Sequence, residues 1–401
     1  VTDLRKTSTA MILTACLLAS GCAGGDEPEP AGDQGKEAVP HGYVEGAQEA
    51  AEQQSRLVMA DAATGTVRVL DLVTGDTATL GAVGPVTDVT TDGRFAYLAT
   101  GTGTEIVDSG AWTVDHGDHV HYYRAKIRRA GRAEGPGPVR AHSDPAVTAL
   151  SFGDGSVRLF DREALEDARP GAGRALPDAT APVIPYGEHL VVPGTGAAHD
   201  RVEIRDRDGK PVSSPDETCP EPRGTALTRR GAVLGCADGA LLISENSGAF
   251  TARKIPYGTS VAPAERAVDF RHRAGSTTLA ARAGRNAVWI LDVTGLRWKR
   301  IETGPVVAVN TAGEGTPLLA LGADGHLSAH DPATGKRTVR TPLLPPASRG
   351  PAPVIEVDTS RAYVNDPAGR KVYEIDFNDR LRRARTFSLD FTPSHMVETG
   401  R

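Results

Sequence analysis

The feature that most limits what this chain can fold into is a unit that recurs from Arg56 onward. Each copy has an alternating apolar run, a turn built on Asp-Gly, Thr-Gly or a similar pair, a second run, and an ending of the form apolar-x-Asp. The endings are Val69-Leu70-Asp71, Ile106-Val107-Asp108, Leu159-Phe160-Asp161, Ile204-Arg205-Asp206, Ile243-Ser244-Glu245, Ile290-Leu291-Asp292, Ala329-His330-Asp331 and Glu374-Ile375-Asp376, spaced 37 to 53 residues apart. Short strands recurring at such a period predict an all-β fold, a single β-propeller spanning residues 56–401. Eight endings predict eight blades, or seven if one copy is atypical. Residues 387–398 are expected to return and complete the first blade, which closes the ring and leaves no free edge. The alternative is a two-sheet sandwich with accidental spacing. The repeated carboxylate reads as a turn or blade-packing hydrogen bond, not as an acid/base pair.

Composition agrees with this architecture. Helix-period segments are almost absent, and aromatics make up 5% of the chain, so the core rests on Val, Leu and Ala. The 45 glycines and 28 prolines are spread along the chain, as many tight turns require. A net charge of −6 provides no basic footprint for nucleic acid.

The N-terminus reads as a targeting segment. Arg5 and Lys6 precede an apolar run over residues 10–19, followed by Ser20-Gly21-Cys22. Cys22 after small residues, with Leu18 before them, is similar to a lipoprotein lipobox, so residues 1–21 are expected to be a signal peptide and Cys22 the lipidated residue. Residues 22–55, acidic and rich in Pro and Gly, then form a flexible tether, in which 47–54 read as one or two helical turns. The chain is thus expected to be extracytoplasmic and anchored to the cell membrane. Cys219 and Cys236 remain as an even pair in an oxidising compartment, forming a disulfide or else a free buried pair.

A second register accompanies the first. Short segments, often with Pro, stand before each innermost strand: Gly84-Pro85, Ala141-His142, Ala181-Pro182, Pro222-Arg223, Ala262-Pro263, Gly304-Pro305, Ala352-Pro353 and Thr392-Pro393-Ser394-His395. In a propeller these lead-in loops open on one mouth of the central channel, where His142, Arg223 and His395 would converge. Glu265 is the only acid near such a position, too few for an axial hydrolase. Among catalytic patterns there is no H-E-x-x-H, G-x-S-x-G or P-loop.

The longest repeat contains W-T-V-D-H-G-D-H-V-H-Y-Y, residues 112–123, which holds three of the chain's 11 histidines within six positions. His116, His119 and His121, with Asp115 and Asp118 beside them, are donor types that suit Zn²⁺. On a strand, His119 and His121 share a face. The stretch is expected to be an insertion between the third and fourth strands of blade 2.

Several of these stretches resemble the periplasmic zinc metallochaperones of the AztD type. They are the segment from Asp108 through D-H-G-D-H, the His142 segment leading to Ser151-Phe152-Gly153-Asp154-Gly155, the run Val183-Ile184-Pro185-Tyr186-Gly187, and Cys219 with Gly235-Cys236-Ala237. The resemblance implies a propeller that carries zinc to the solute-binding protein of an ABC importer and performs no reaction. It also brings His142 into the ligand set, with His116 and His119, and with His121 and Asp118 as a fourth ligand or support. Three histidines of the family pattern are replaced here, by Ala179, Thr180 and Arg223; a guanidinium is no metal ligand. The expected protein is a monomeric zinc carrier. The alternative is a propeller scaffold for envelope protein interactions without functional metal.

Overall fold

The computed structural model describes residues 42–116, 119–346 and 350–401. It is an eight-bladed β-propeller. Seven blades are four-stranded antiparallel sheets, and the sixth is a three-stranded sheet over Thr278–Ala283, Ala287–Asp292 and Arg297–Glu302, with an isolated bridge from Arg271 to Ala280 on its inner side. Val86–Thr91 adjoins both His395–Thr399 and Val139–Ser143, Val139–Ser143 adjoins Ile184–Tyr186, and Ile355–Val357 meets His395–Thr399 at the closing seam.

Blade stacking explains why the middle strands read as continuous apolar runs. Arg56–Ala60 and Phe95–Thr100 are buried at every position, because each is covered on both faces by a neighbouring blade. The outermost strand Thr77–Ala82 lies mostly exposed. The apolar-x-Asp endings lie at or beside the end of the third strand in the four-stranded blades and of the second in blade 6. Asp71 Oδ1 accepts the backbone N–H groups of Val73 and Thr74, and Asp331 Oδ1 those of Ala333 and Thr334. Asp292 and Asp376 cap their turns in the same way. Asp161 instead caps a short helix, Arg162–Glu166, that the repeat gave no sign of.

The closing strand is shorter and later than expected. Residues Arg382–Ser388 pair with Lys371–Asp376 as the outermost strand of blade 8, so Phe387 belongs there. Only His395–Thr399, beyond the break at Pro393, pairs with Arg56–Ala60 and completes blade 1. The proposed helical turn over 47–54 is replaced by a strand, Gln48–Ala50, because pairing to a hairpin edge satisfies backbone groups that a short isolated helix leaves marginal. The folded body therefore includes residues that the sequence assigned to the tether.

Two charged groups mark the seam. Glu398, on the closing strand, is wholly buried. Burial, reinforced by Asp358 and Glu356, pushes its carboxyl up to about 7, against the lowering influence of Arg401. Arg401 binds Glu356 Oε2 at 3.1 Å.

Candidate metal site

The third strand of blade 2, Gly103–Asp108, does not turn directly into the fourth, Arg128–Ala133. A hairpin of Ala111–Asp115 and Val120–Arg124 is inserted between them, and Gln48–Ala50 extends it to a three-stranded sheet. Gly110 makes the turn into the hairpin at φ +68°; a Cβ there would lie 2.4 Å from the Ala125 carbonyl oxygen. Trp112 Nε1–H donates to Gly42 O at 3.0 Å, and Thr113 Oγ1–H to Gly400 O at 2.8 Å. The Arg94 guanidinium sits 3.8 Å from the Trp112 ring centre while bonding Asp108 through two nitrogens. The insertion is thus tied to the propeller beside the chain's last residues.

At its tip the chain turns back on itself, His116 N–H donating to His119 O at 3.0 Å. His121 follows on the strand, opposite Val114. This tight reversal brings the three histidines together: one donor atom from each lies within 4.8 Å of the others, and the ring centres are 4.9 to 5.5 Å apart. His116 and His119 are exposed and His121 is half-buried. A tetrahedral zinc with Zn–N bonds of about 2.0–2.1 Å needs donors about 3.3 Å apart. Closing the remaining distance requires these side chains to change rotamer. The donor set therefore fits zinc, which takes imidazole nitrogens among its four ligands. Asp118 lies outside the described residues, as does Cys22, and Asp115 is exposed at the end of its strand.

His142 is not a member of this group. It belongs to the innermost strand of blade 3, Val139–Ser143, and not to the loop before it. There it lines the central channel, a cavity of about 640 Å³. Its Nε2 lies 2.6 Å from Thr225 Oγ1. A second channel histidine, His272, went unnoticed in the sequence; its Nε2–H donates to Leu227 O at 3.1 Å. Burial is the main cause that brings both imidazoles down to about 4, with Arg140 and His272 acting on His142, and Arg401, Arg273 and Arg271 on His272. His395 sits at the start of the closing strand, its Nε2 3.2 Å from Val86 O.

The channel also contains more acids than the lead-in loops suggested. Asp88, Asp92, Asp269 and Glu356 all line it. Each is matched by an arginine: Arg140 reaches Asp88 at 2.8 Å, Arg271 reaches Asp269 at 3.2 Å, Arg162 pairs with Asp92 and Arg401 with Glu356. Arg223, exposed at the same cavity, adds a further cation. Among the described residues, the histidines at the hairpin tip are the one group of three or more His, Cys, Asp or Glu side chains close enough to hold a metal. Cys219 and Cys236 are joined in a disulfide.

Fold and site together define an eight-bladed propeller carrying a histidine-tipped hairpin on blade 2. No family model matches the chain. It is similar to the zinc chaperone AztD of Citrobacter koseri, 23% identical over 371 residues that make up 86% of each chain. Crystal structures of AztD from that organism, one of them the apo form, superpose with a TM-score of 0.70 at 21% identity, covering 87% of this chain and 98% of theirs. A structure of the dihydro-heme d1 dehydrogenase NirN superposes less closely, with a TM-score of 0.54 at 17% identity, covering 86% of this chain and 75% of that one. Sequence and structure comparison both find the resemblance to AztD.

Proposed function

We propose that this protein is an extracytoplasmic zinc carrier, a metallochaperone-like lipoprotein that hands its ion to the solute-binding protein of an ABC importer. The observation that carries the reading is the convergence of His116, His119 and His121 on one exposed tip. Zinc is the cargo here. Three imidazoles hold it and leave a fourth position through which a ligand from an acceptor enters, so transfer proceeds by ligand exchange without release into solvent. Exposure matters to this function, because a buried ion would need the fold to open before handover. The similarity to a protein named as a zinc chaperone supports the same reading. The sequence pattern around Cys22 supports a lipid anchor, and the Cys219–Cys236 disulfide agrees with an oxidising compartment.

The test is a calorimetric zinc titration of the full chain beside His116→Ala/His119→Ala. Binding near one to one that the double variant loses is the expected result. Equal behaviour of the two proteins would overturn the carrier reading and favour a propeller scaffold that binds protein partners.

A further inference from the structure

The strand Gln48–Ala50 brings one carboxylate to the histidine group. Glu49 lies directly opposite Tyr123 in the antiparallel register. Side chains two positions apart on a strand share a face, so His121 is the diagonal neighbour of Glu49, within reach of a long side chain. The contact is made: His121 Nδ1 lies 2.7 Å from Glu49 Oε1. Gln48, directly opposite Arg124 on the other face, accepts from Arg124 Nε at 3.3 Å and helps hold the register.

We propose that Glu49 is a positioning residue for the three-histidine site, accepting the Nδ1–H of His121 so that Nε2 is the nitrogen presented to zinc. This rests on the carrier reading above. An ionised carboxylate only accepts hydrogen bonds, so its imidazole partner must carry the proton on Nδ1. That selects one of the two neutral tautomers, fixes the ring, and raises the basicity of the opposite nitrogen, the arrangement that metal-bound histidines commonly have with an outer carboxylate. The pair has little structural purpose to explain it. The Glu49 side chain is 49% exposed, and surface pairs of this kind add little to folding. Nor does the sequence around the histidines announce it, since Glu49 stands 72 residues from His121.

The experiment compares zinc affinity in the wild-type full chain, Glu49→Ala and Glu49→Gln, together with ¹⁵N NMR of the metal-free histidine rings. Glu49→Ala is expected to weaken zinc about 10- to 100-fold with unchanged stoichiometry, while the apo melting temperature stays at the wild-type value. Glu49→Gln, which still accepts a hydrogen bond but lacks the charge, should fall between the two. His121 should carry its proton on Nδ1 in the wild type and shift toward the other tautomer in Glu49→Ala. Unchanged affinity in Glu49→Ala beside a wild type that binds zinc would overturn this inference alone, as would a wild-type His121 protonated on Nε2. A wild type that binds no zinc would overturn the carrier reading itself.

Discussion

Two of the places where histidines gather among the described residues are built on opposite principles. At the hairpin tip, three imidazoles from six consecutive positions converge on solvent. In the channel, His142 and His272 come from different blades, are held by Thr225 and by the Leu227 carbonyl, and lie among paired charges. The first arrangement leaves donor atoms near one another and accessible to an ion. The second uses imidazoles as neutral hydrogen-bonding parts of the wall. A histidine in a propeller channel is therefore not a metal ligand by position alone; what matters is whether other donors face it.

The largest expected effect tests this contrast directly. Losing one outer partner of a metal-bound histidine costs 10- to 100-fold in affinity, so removing two ligands should cost more. His116→Ala/His119→Ala should lose at least about 1000-fold, roughly 4 kcal/mol. His142→Ala should leave the tightest zinc site within about twofold of wild type. If His142→Ala is the variant that loses zinc by calorimetry, the channel is the metal site and the comparison is reversed.

Acid should act on the channel pair. A histidine whose native pKa lies near 4 and whose unfolded value is about 6.5 takes up its proton in the unfolded chain first as pH falls. Its stabilising contribution is complete above about pH 6.5 and is lost on the way down to pH 4. Glu398 works the other way: its native carboxyl holds a proton up to about pH 7, so its contribution is complete below the unfolded value of about 4.3 and is lost as pH rises. Two histidines against one glutamate leave a net loss on acidification, on the order of 2–3 kcal/mol between pH 7 and 4 for these groups. Urea unfolding across that range should show a shallower acid loss in His142→Gln/His272→Gln than in wild type. Parallel curves would mean that the pair is not tuned by burial.

What the sequence made legible follows from the range of each interaction. The blades could be read because the aspartate ending the repeat caps its own turn, a local requirement met again from blade to blade. The hairpin histidines could be read because their spacing within one loop is itself the site. His272, Asp88, Asp269 and Glu356 could not, since only ring closure brings them to one cavity. The same holds for Glu49, whose strand pairs with a hairpin far along the chain. The misplaced closing strand had a different cause: Phe387 and Met396 both fall within the segment expected to return, and only the pairing of Arg382–Ser388 with blade 8 divides it.

A smaller effect sharpens the contrast between exposed and buried titratable groups. Glu398 is wholly buried, and Arg401, the cation that lowers its carboxyl, is engaged with Glu356. Above pH 7 the seam therefore holds an ionised carboxylate that burial disfavours. Glu398→Gln keeps the shape and removes the charge, so it should raise stability by about 1–2 kcal/mol at pH 8. At pH 4, where the carboxyl is protonated in the native chain and mostly protonated in the unfolded one, the gain should nearly vanish. Zinc affinity at the hairpin should not change, because Glu398 is buried on the closing strand while the histidines stand at the hairpin tip. Urea midpoints at the two pH values measure the first expectation and calorimetry the second. A gain of equal size at both pH values would show that the carboxylate's polarity, and not its ionisation, is what the closing strand tolerates.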